Sequence, residues 1–177
     1  GLPIKRLIVG SNVNDILPRF FDSGTLEMAA VTPTISPSMD IQISSNFERF
    51  RFELFGSDGA VVSKSVADFR DTGKLSVPKN LWHVARKNFD GFRLNDMETK
   101  AVIGDVHASS GYLLDPHSAI GVAAARAKAI DPATPIVSLA TAHPAKFPDA
   151  VEDASGLRPK LPQGLADLYD RPERMTV

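Results

Sequence analysis

The chain has 177 residues, 43% hydrophobic and 23% charged, with a formal net charge of -1 at pH 7. That length is enough for one domain with a core, and the near-neutral balance gives no electrostatic case for nucleic acid or an anionic membrane surface. Cysteine is absent, which excludes disulfides, thiolate metal sites and cysteine nucleophiles; no apolar run approaches the roughly 20 residues that span a bilayer, and no secretory signal is present. The expectation from these bounds is a cytoplasmic α/β protein that binds neither membrane nor nucleic acid.

Gly1 stands almost directly before Ile4-Lys5-Arg6-Leu7-Ile8-Val9, a strand-like run without initiator methionine or lead-in. A domain rarely begins so close to a buried strand, so a processed or truncated chain is expected. The strand over 4–9 gives way to turn residues at Gly10-Ser11-Asn12. Asn12 or Asn14 can cap a helix carrying Ile16, Leu17, Phe20 and Phe21, with Gly24 as its stop. Residues 25–38, rich in Thr, Ser and Pro, read as a loop. From Ser45 to Phe55 the pattern favours a helix, with Ser44 or Ser45 as cap and Glu48 beyond it, although the alternation over 50–54 also suits a strand.

The stretch 56–95 is the hardest to assign and reads as an insertion. Gly56-Ser57-Asp58-Gly59 is a turn, Ser65 to Phe69 has helical character, and Pro78 can open a helix through Leu81, Trp82 and Ala85. Asn95 with Glu98 forms a capping-box pattern for a helix that stops at Gly111. Tyr112-Leu113-Leu114 reads as a short buried strand. Asp115-Pro116 then opens an alanine-rich helix to about Ala129, and Ile136 to Ala140 reads as a second buried strand. A helix from about Pro144 to Ser155 ends at Gly156, and the proline-rich tail over 156–177 is expected to wrap the surface.

Alternating short apolar strands and helices predict a parallel sheet with helices on both faces. Such sheets bind ligands beyond the carboxyl ends of their strands. Three polar groups fall there: Ser11-Asn12-Asn14, Asp115 with His117, and Thr141 with His143. The four histidines, His83, His107, His117 and His143, show no metal-site spacing. His117, in a first helical turn, suits capping or packing, and His143 before a proline suits a structural role slightly better than a catalytic one. Lys146 can bind an anion or form a Schiff base, but a solvent-facing lysine is the commoner case. A hydroxyl such as Thr141 at a strand end most often caps the next helix; it can also hydrogen-bond a heteroaromatic ring nitrogen.

Four segments, LIVGSNVNDILPRFF at 7–21, SPSMDIQISSNFERF at 36–50, SGYLLDPHSAIGVAAAR at 110–126 and SLATAHPAKFPDAVE at 138–152, together resemble threonine synthase in its long form. The most specific match is Thr-Ala-His-Pro-Ala-Lys-Phe at 141–147, and the resemblance fades between about 56 and 95. It implies the large domain of a fold type II pyridoxal-phosphate enzyme, with 1–155 as the carboxy-terminal part of the cofactor-binding α/β domain. The implied reaction converts O-phospho-L-homoserine and water to L-threonine and phosphate. The resemblance further implies that Thr141 hydrogen-bonds the pyridine nitrogen of pyridoxal phosphate, and it places Asn12, Ser45 and Asn46 on the active-site side. It places the Schiff-base lysine and the phosphate-cradling loop upstream of Gly1, on an amino-terminal region of the same polypeptide, so the catalytic role does not pass to Lys146. The expected outcome is a chain inactive by itself. Another fold type II enzyme, either a hydroxy-amino-acid dehydratase or a β-replacing synthase, and a non-catalytic ligand-binding domain are the alternatives.

Overall fold

The computed structural model describes residues 3–129 and 131–175. Gly1, from which the expectation of a truncated chain starts, and the last two residues of the tail lie outside that range. Strand β1 (Leu7–Ser11) pairs in parallel with β4 (Phe89–Arg93), in the register Leu7↔Phe89 through Ser11↔Arg93. Successive side chains of a strand alternate between faces while paired residues share one. Val9 and Gly91 therefore mark one face, and Gly10 and Phe92 the other.

Two glycines let helices approach these faces. A Cβ on Gly91 would lie 2.6 Å from the Cα of Pro18 in α1 (Ile16–Ser23). One on Gly10 would lie 3.0 Å from Ile120 Cγ2 in α6 (Pro116–Ala127). Helices thus cover both faces of a parallel pair, which is the expected α/β architecture. The two faces carry separate cores. Beneath α1, Ile16, Phe20 and Phe21 join Phe47 and Leu54 of α2 (Phe47–Leu54), Phe69 of α3 (Gly59–Thr72) and Ala85 of α4 (Lys79–Asn88). Phe21 stacks on Phe89, with ring centroids 5.5 Å apart and planes inclined by 3°. Beneath α6, Ile120 and Ala123 pack with Leu94 and Phe92.

The stretch 56–95 is fully structured and supplies half of the parallel pair. Asp58 caps α3 by accepting from the Ala60 and Val61 N–H groups, and α3 stops at Gly73 with φ of 70°. Strand β3 (Lys74–Ser76) then pairs antiparallel with β2 (Thr25–Glu27), which lies inside the expected loop. Helix α4 follows Pro78 as expected, and β4 follows α4 directly. In the carboxy-terminal third, Asn95 and Glu98 form a complete capping box at the start of α5 (Asp96–Ser110). The expected single helix after Pro144 is instead a 3-10 turn, Pro144–Lys146, followed by α7 (Pro148–Ser155). Phe147 leaves the helical region between them, with φ of -132° before Pro148.

Other expectations fail. The runs 112–114 and 136–140 are not strands in the described structure. Tyr112 is 59% exposed, Val137 81% and Leu139 71%, so most of this apolar surface is not buried either. A strand exists only where a neighbouring strand accepts and donates its backbone hydrogen bonds; the parallel sheet of the described residues consists of β1 and β4 alone. Asn12 and Asn14 do not cap α1, whose N-cap position is Asp15. Helix α2 begins without a side-chain cap, so the Ser44 or Ser45 cap with Glu48 does not form.

Candidate functional site

Beyond the carboxyl end of β1, Asn12 is 1% exposed and Asn14 3%. The Asn12 amide nitrogen lies 2.8 Å from Thr34 Oγ1, 3.0 Å from Ser36 Oγ and 2.7 Å from Asp40 Oδ1. Its carbonyl oxygen accepts from the Asn14 backbone N–H at 2.9 Å. Asn14 in turn donates to the Thr32 carbonyl at 2.8 Å and accepts from the Thr32 N–H at 2.9 Å. Asp40 also takes the Thr34 hydroxyl at 2.7 Å and the Thr34 N–H at 2.9 Å. Buried polar groups are stable only when so partnered. The pair Asn12 and Asn14 thus pins the loop over 32–40 across the strand end.

The first turn of α6 forms the second polar group. Asp115, 1% exposed, is the N-cap and accepts from the His117 N–H at 2.9 Å. One carboxylate oxygen also meets His117 Nδ1 at 3.0 Å, and the other takes the Ser118 hydroxyl. Burial alone would raise the Asp115 pKa, but hydrogen bonds from the His117 and Ser118 side chains and their N–H groups outweigh it. The carboxyl is held below its usual range. His117 Nε2 accepts from the Ser38 N–H at 3.2 Å, which leaves the ring hydrogen on Nδ1, facing Asp115. The loop pinned by Asn12 is therefore tied to α6 through Ser38 as well.

The third group joins the second. The Thr141 N–H donates to Ser118 Oγ at 3.1 Å. The Thr141 side chain makes no hydrogen bond among the described residues, and the residue is exposed. His143 caps the following 3-10 turn, its Nδ1 accepting from the Ala145 N–H at 3.1 Å. Ala145 is buried, and Phe147 packs against His117 with ring centroids 4.7 Å apart. Lys146 Nζ lies 5.7 Å from the centroid of the Phe147 ring. The motif over 141–147 is in this way seated on the start of α6, with one hydroxyl left outward.

Of the expected site residues, Asn12, Thr141 and His143 fall in or beside this connected set. Ser45 and Asn46 do not: they lie exposed at the start of α2, without side-chain hydrogen bonds among the described residues. Thr34, Ser36, Ser38, Asp40 and Ser118 were missed. For Ser118 a signal existed, because an aspartate N-cap followed three residues later by serine places that hydroxyl beside the carboxylate. For the loop residues none did. Among the described residues no cluster of His, Asp or Glu could hold a metal ion, and no helix is long and apolar enough to cross a membrane.

The family model described as "Threonine synthase, C-terminal" matches residues 118–177, a span that includes Ser118, Thr141 and the whole 141–147 motif. The threonine synthase of Pseudomonas aeruginosa is 50% identical over 178 residues, covering 100% of this chain and 38% of that protein. That of Saccharomyces cerevisiae is 42% identical, over 87% of this chain and 33% of its own length. Along its whole length the chain is similar to part of these threonine synthases. Solved threonine synthases share its fold: the pyridoxal-phosphate-bound Brucella melitensis structure superposes with a TM-score of 0.93 at 50% identity, over 99% of this chain and 38% of that one. The yeast structure gives 0.88 at 39% identity. The chain thus spans little more than a third of the length of the threonine synthases it matches.

Proposed function

We propose that this chain forms one wall of the cofactor site of a pyridoxal-phosphate-dependent lyase, a threonine synthase converting O-phospho-L-homoserine and water to L-threonine and phosphate. The observation that carries the reading is Thr141: its N–H is anchored and its hydroxyl is exposed with no partner among the described residues. It stands in the segment matched by the family model and in a fold shared with a pyridoxal-phosphate-bound relative. A neutral hydroxyl donor fits a pyridine nitrogen. The bound cofactor supplies an electron sink for the carbanion chemistry at the substrate. Thr141 orients the ring and, unlike a carboxylate, does not hold its nitrogen protonated, which tempers that sink.

Ser45 and Asn46 keep their side chains available to a ligand, whereas Asn12 and His143 act in support, their contacts directed to the loop over 32–40 and to the 3-10 turn. The lysine that carries the cofactor and the loop that cradles its phosphate belong to the length of the relatives that this chain does not span. Alone, the chain is inactive. Residues 1–155 form part of the cofactor-binding domain and 156–177 a tail, and the enzyme works in the cytoplasm, as expected of a biosynthetic enzyme acting on small polar metabolites.

The full-length polypeptide is expected to release threonine and phosphate from O-phospho-L-homoserine and to leave serine and O-acetylserine unconverted. Turnover of the serine-type substrates alone would point to a dehydratase or a β-replacing synthase instead. Thr141→Asp should lower kcat about tenfold or more while changing cofactor retention less, because a carboxylate holds the ring nitrogen protonated. Unchanged kinetics would remove Thr141 from the contact. The isolated chain mixed with pyridoxal phosphate should give no stoichiometric absorbance band near the visible edge; such a band would show a competent lysine within it.

A further inference from the structure

Among the described residues, the segment leading to Thr141 is held by α6. Two positions on one face of α6, three residues apart, meet the incoming segment. A Cβ on Gly121 would lie 2.9 Å from Ser138 Oγ, so glycine allows this close passage. Ser118, 3% exposed, accepts the Thr141 N–H at 3.1 Å. A serine hydroxyl has one hydrogen, and here it goes to the Asp115 carboxylate, which only accepts. The Ser118 lone pairs are then left for Thr141, so the direction of the chain is fixed: Thr141 N–H to Ser118, Ser118 O–H to Asp115. Asp115 is itself held by the His117 ring, whose far nitrogen takes the Ser38 N–H.

We propose that Ser118 is the positioning residue for the cofactor contact of Thr141: it fixes the Thr141 backbone, so that the exposed hydroxyl meets the ring nitrogen in one orientation. This rests on the reading of Thr141 given under Proposed function. Ser118, 3% exposed, acts through the Thr141 backbone. A loosely held threonine would still carry its hydroxyl, but the hydrogen bond would be made from many orientations and its strength would fall accordingly.

The test uses the full-length polypeptide loaded with pyridoxal phosphate and reads three quantities: the cofactor dissociation constant, the absorbance of the bound cofactor and amide hydrogen exchange at Thr141. Ser118→Ala is expected to weaken cofactor binding about tenfold, as for one well-placed hydrogen bond, to shift the absorbance, and to speed exchange at Thr141. Ser118→Thr, which keeps the hydroxyl, should restore all three. If Ser118→Ala leaves exchange and affinity at wild-type values while Thr141→Val loses affinity, Ser118 has no positioning role and the reading of Thr141 stands. If Thr141→Val leaves binding and absorbance unchanged, the reading of Thr141 fails and the proposal falls with it. Exchange in the wild type needs no variant: a Thr141 amide that exchanges at the rate of an open loop overturns the proposal even if Ser118→Ala does not fold.

Discussion

Two buried ionisable side chains show how differently this chain treats charge. Asp115 is surrounded by donors, whereas the Nε and Nη1 atoms of Arg51 have no hydrogen-bond partner among the described residues although the residue is only 3% exposed. Burial pulls the Arg51 pKa below its ordinary value, and the negative charge of Glu48 offsets part of this. A buried guanidinium without full pairing costs stability, and an apolar side chain of similar volume removes that cost. Arg51→Met is therefore expected to raise stability by about 1–3 kcal/mol, read as a higher denaturant midpoint. Asp115 behaves in the opposite sense. Its folded pKa lies below the unfolded one, so its carboxylate adds stability that is present above the unfolded pKa and lost as pH falls through the folded pKa. Asn caps a helix as well as Asp. Asp115→Asn should thus lose less stability than the wild type between about pH 5 and pH 3, as chemical denaturation at the two pH values would show.

At the scale of elements, close approach decides the packing of the carboxy-terminal third. Helices α5 and α7 meet at Gly104, where a Cβ would lie 2.7 Å from the Ala154 carbonyl oxygen. Alanine favours an isolated helix over glycine by about 1 kcal/mol. Here the clash is with backbone, which cannot swing aside, and overpacking typically costs about 1–3 kcal/mol. Gly104→Ala is expected to destabilise the chain by up to roughly 2 kcal/mol net, seen as a lower Tm; a raised Tm would mean that α7 shifts freely. The Lys100 to Asp153 pair, 2.6 Å apart at the surface, joins the same two helices and is too exposed to compensate. Several helix caps were legible in the sequence because a cap is local. Asn95 with Glu98, Asp115 before Pro116, and Gly24, Gly111 and Gly156, with φ of 77°, 73° and 70°, each act within a few residues of themselves. The capping reading of Asn12 was wrong for the complementary reason: its partner Asp40 is 28 residues away, and this half-buried carboxylate takes the Asn12 amide in place of a nearby helix end.

For the molecule as a whole, the helices on two faces of a parallel pair follow the rule that such strands are buried on both sides. Which strands make the pair did not follow from local pattern. In β4, Phe-Asp-Gly-Phe-Arg, aspartate and glycine mask the alternation, yet Gly91 is required for the approach of α1. Conversely, Ile136 to Ala140 has strand-like composition and no strand beside it among the described residues. By itself the sequence determined the caps of α5 and α6, the α/β class and the seven-residue motif around Thr141, since these depend on neighbours a few residues apart. Only the tertiary structure decided what holds that motif. Ser118 and Thr141 are 23 residues apart and His117 and Ser38 are 79 apart. No local propensity encodes such pairs; they exist because folding closes long loops and leaves buried donors and acceptors no other partners.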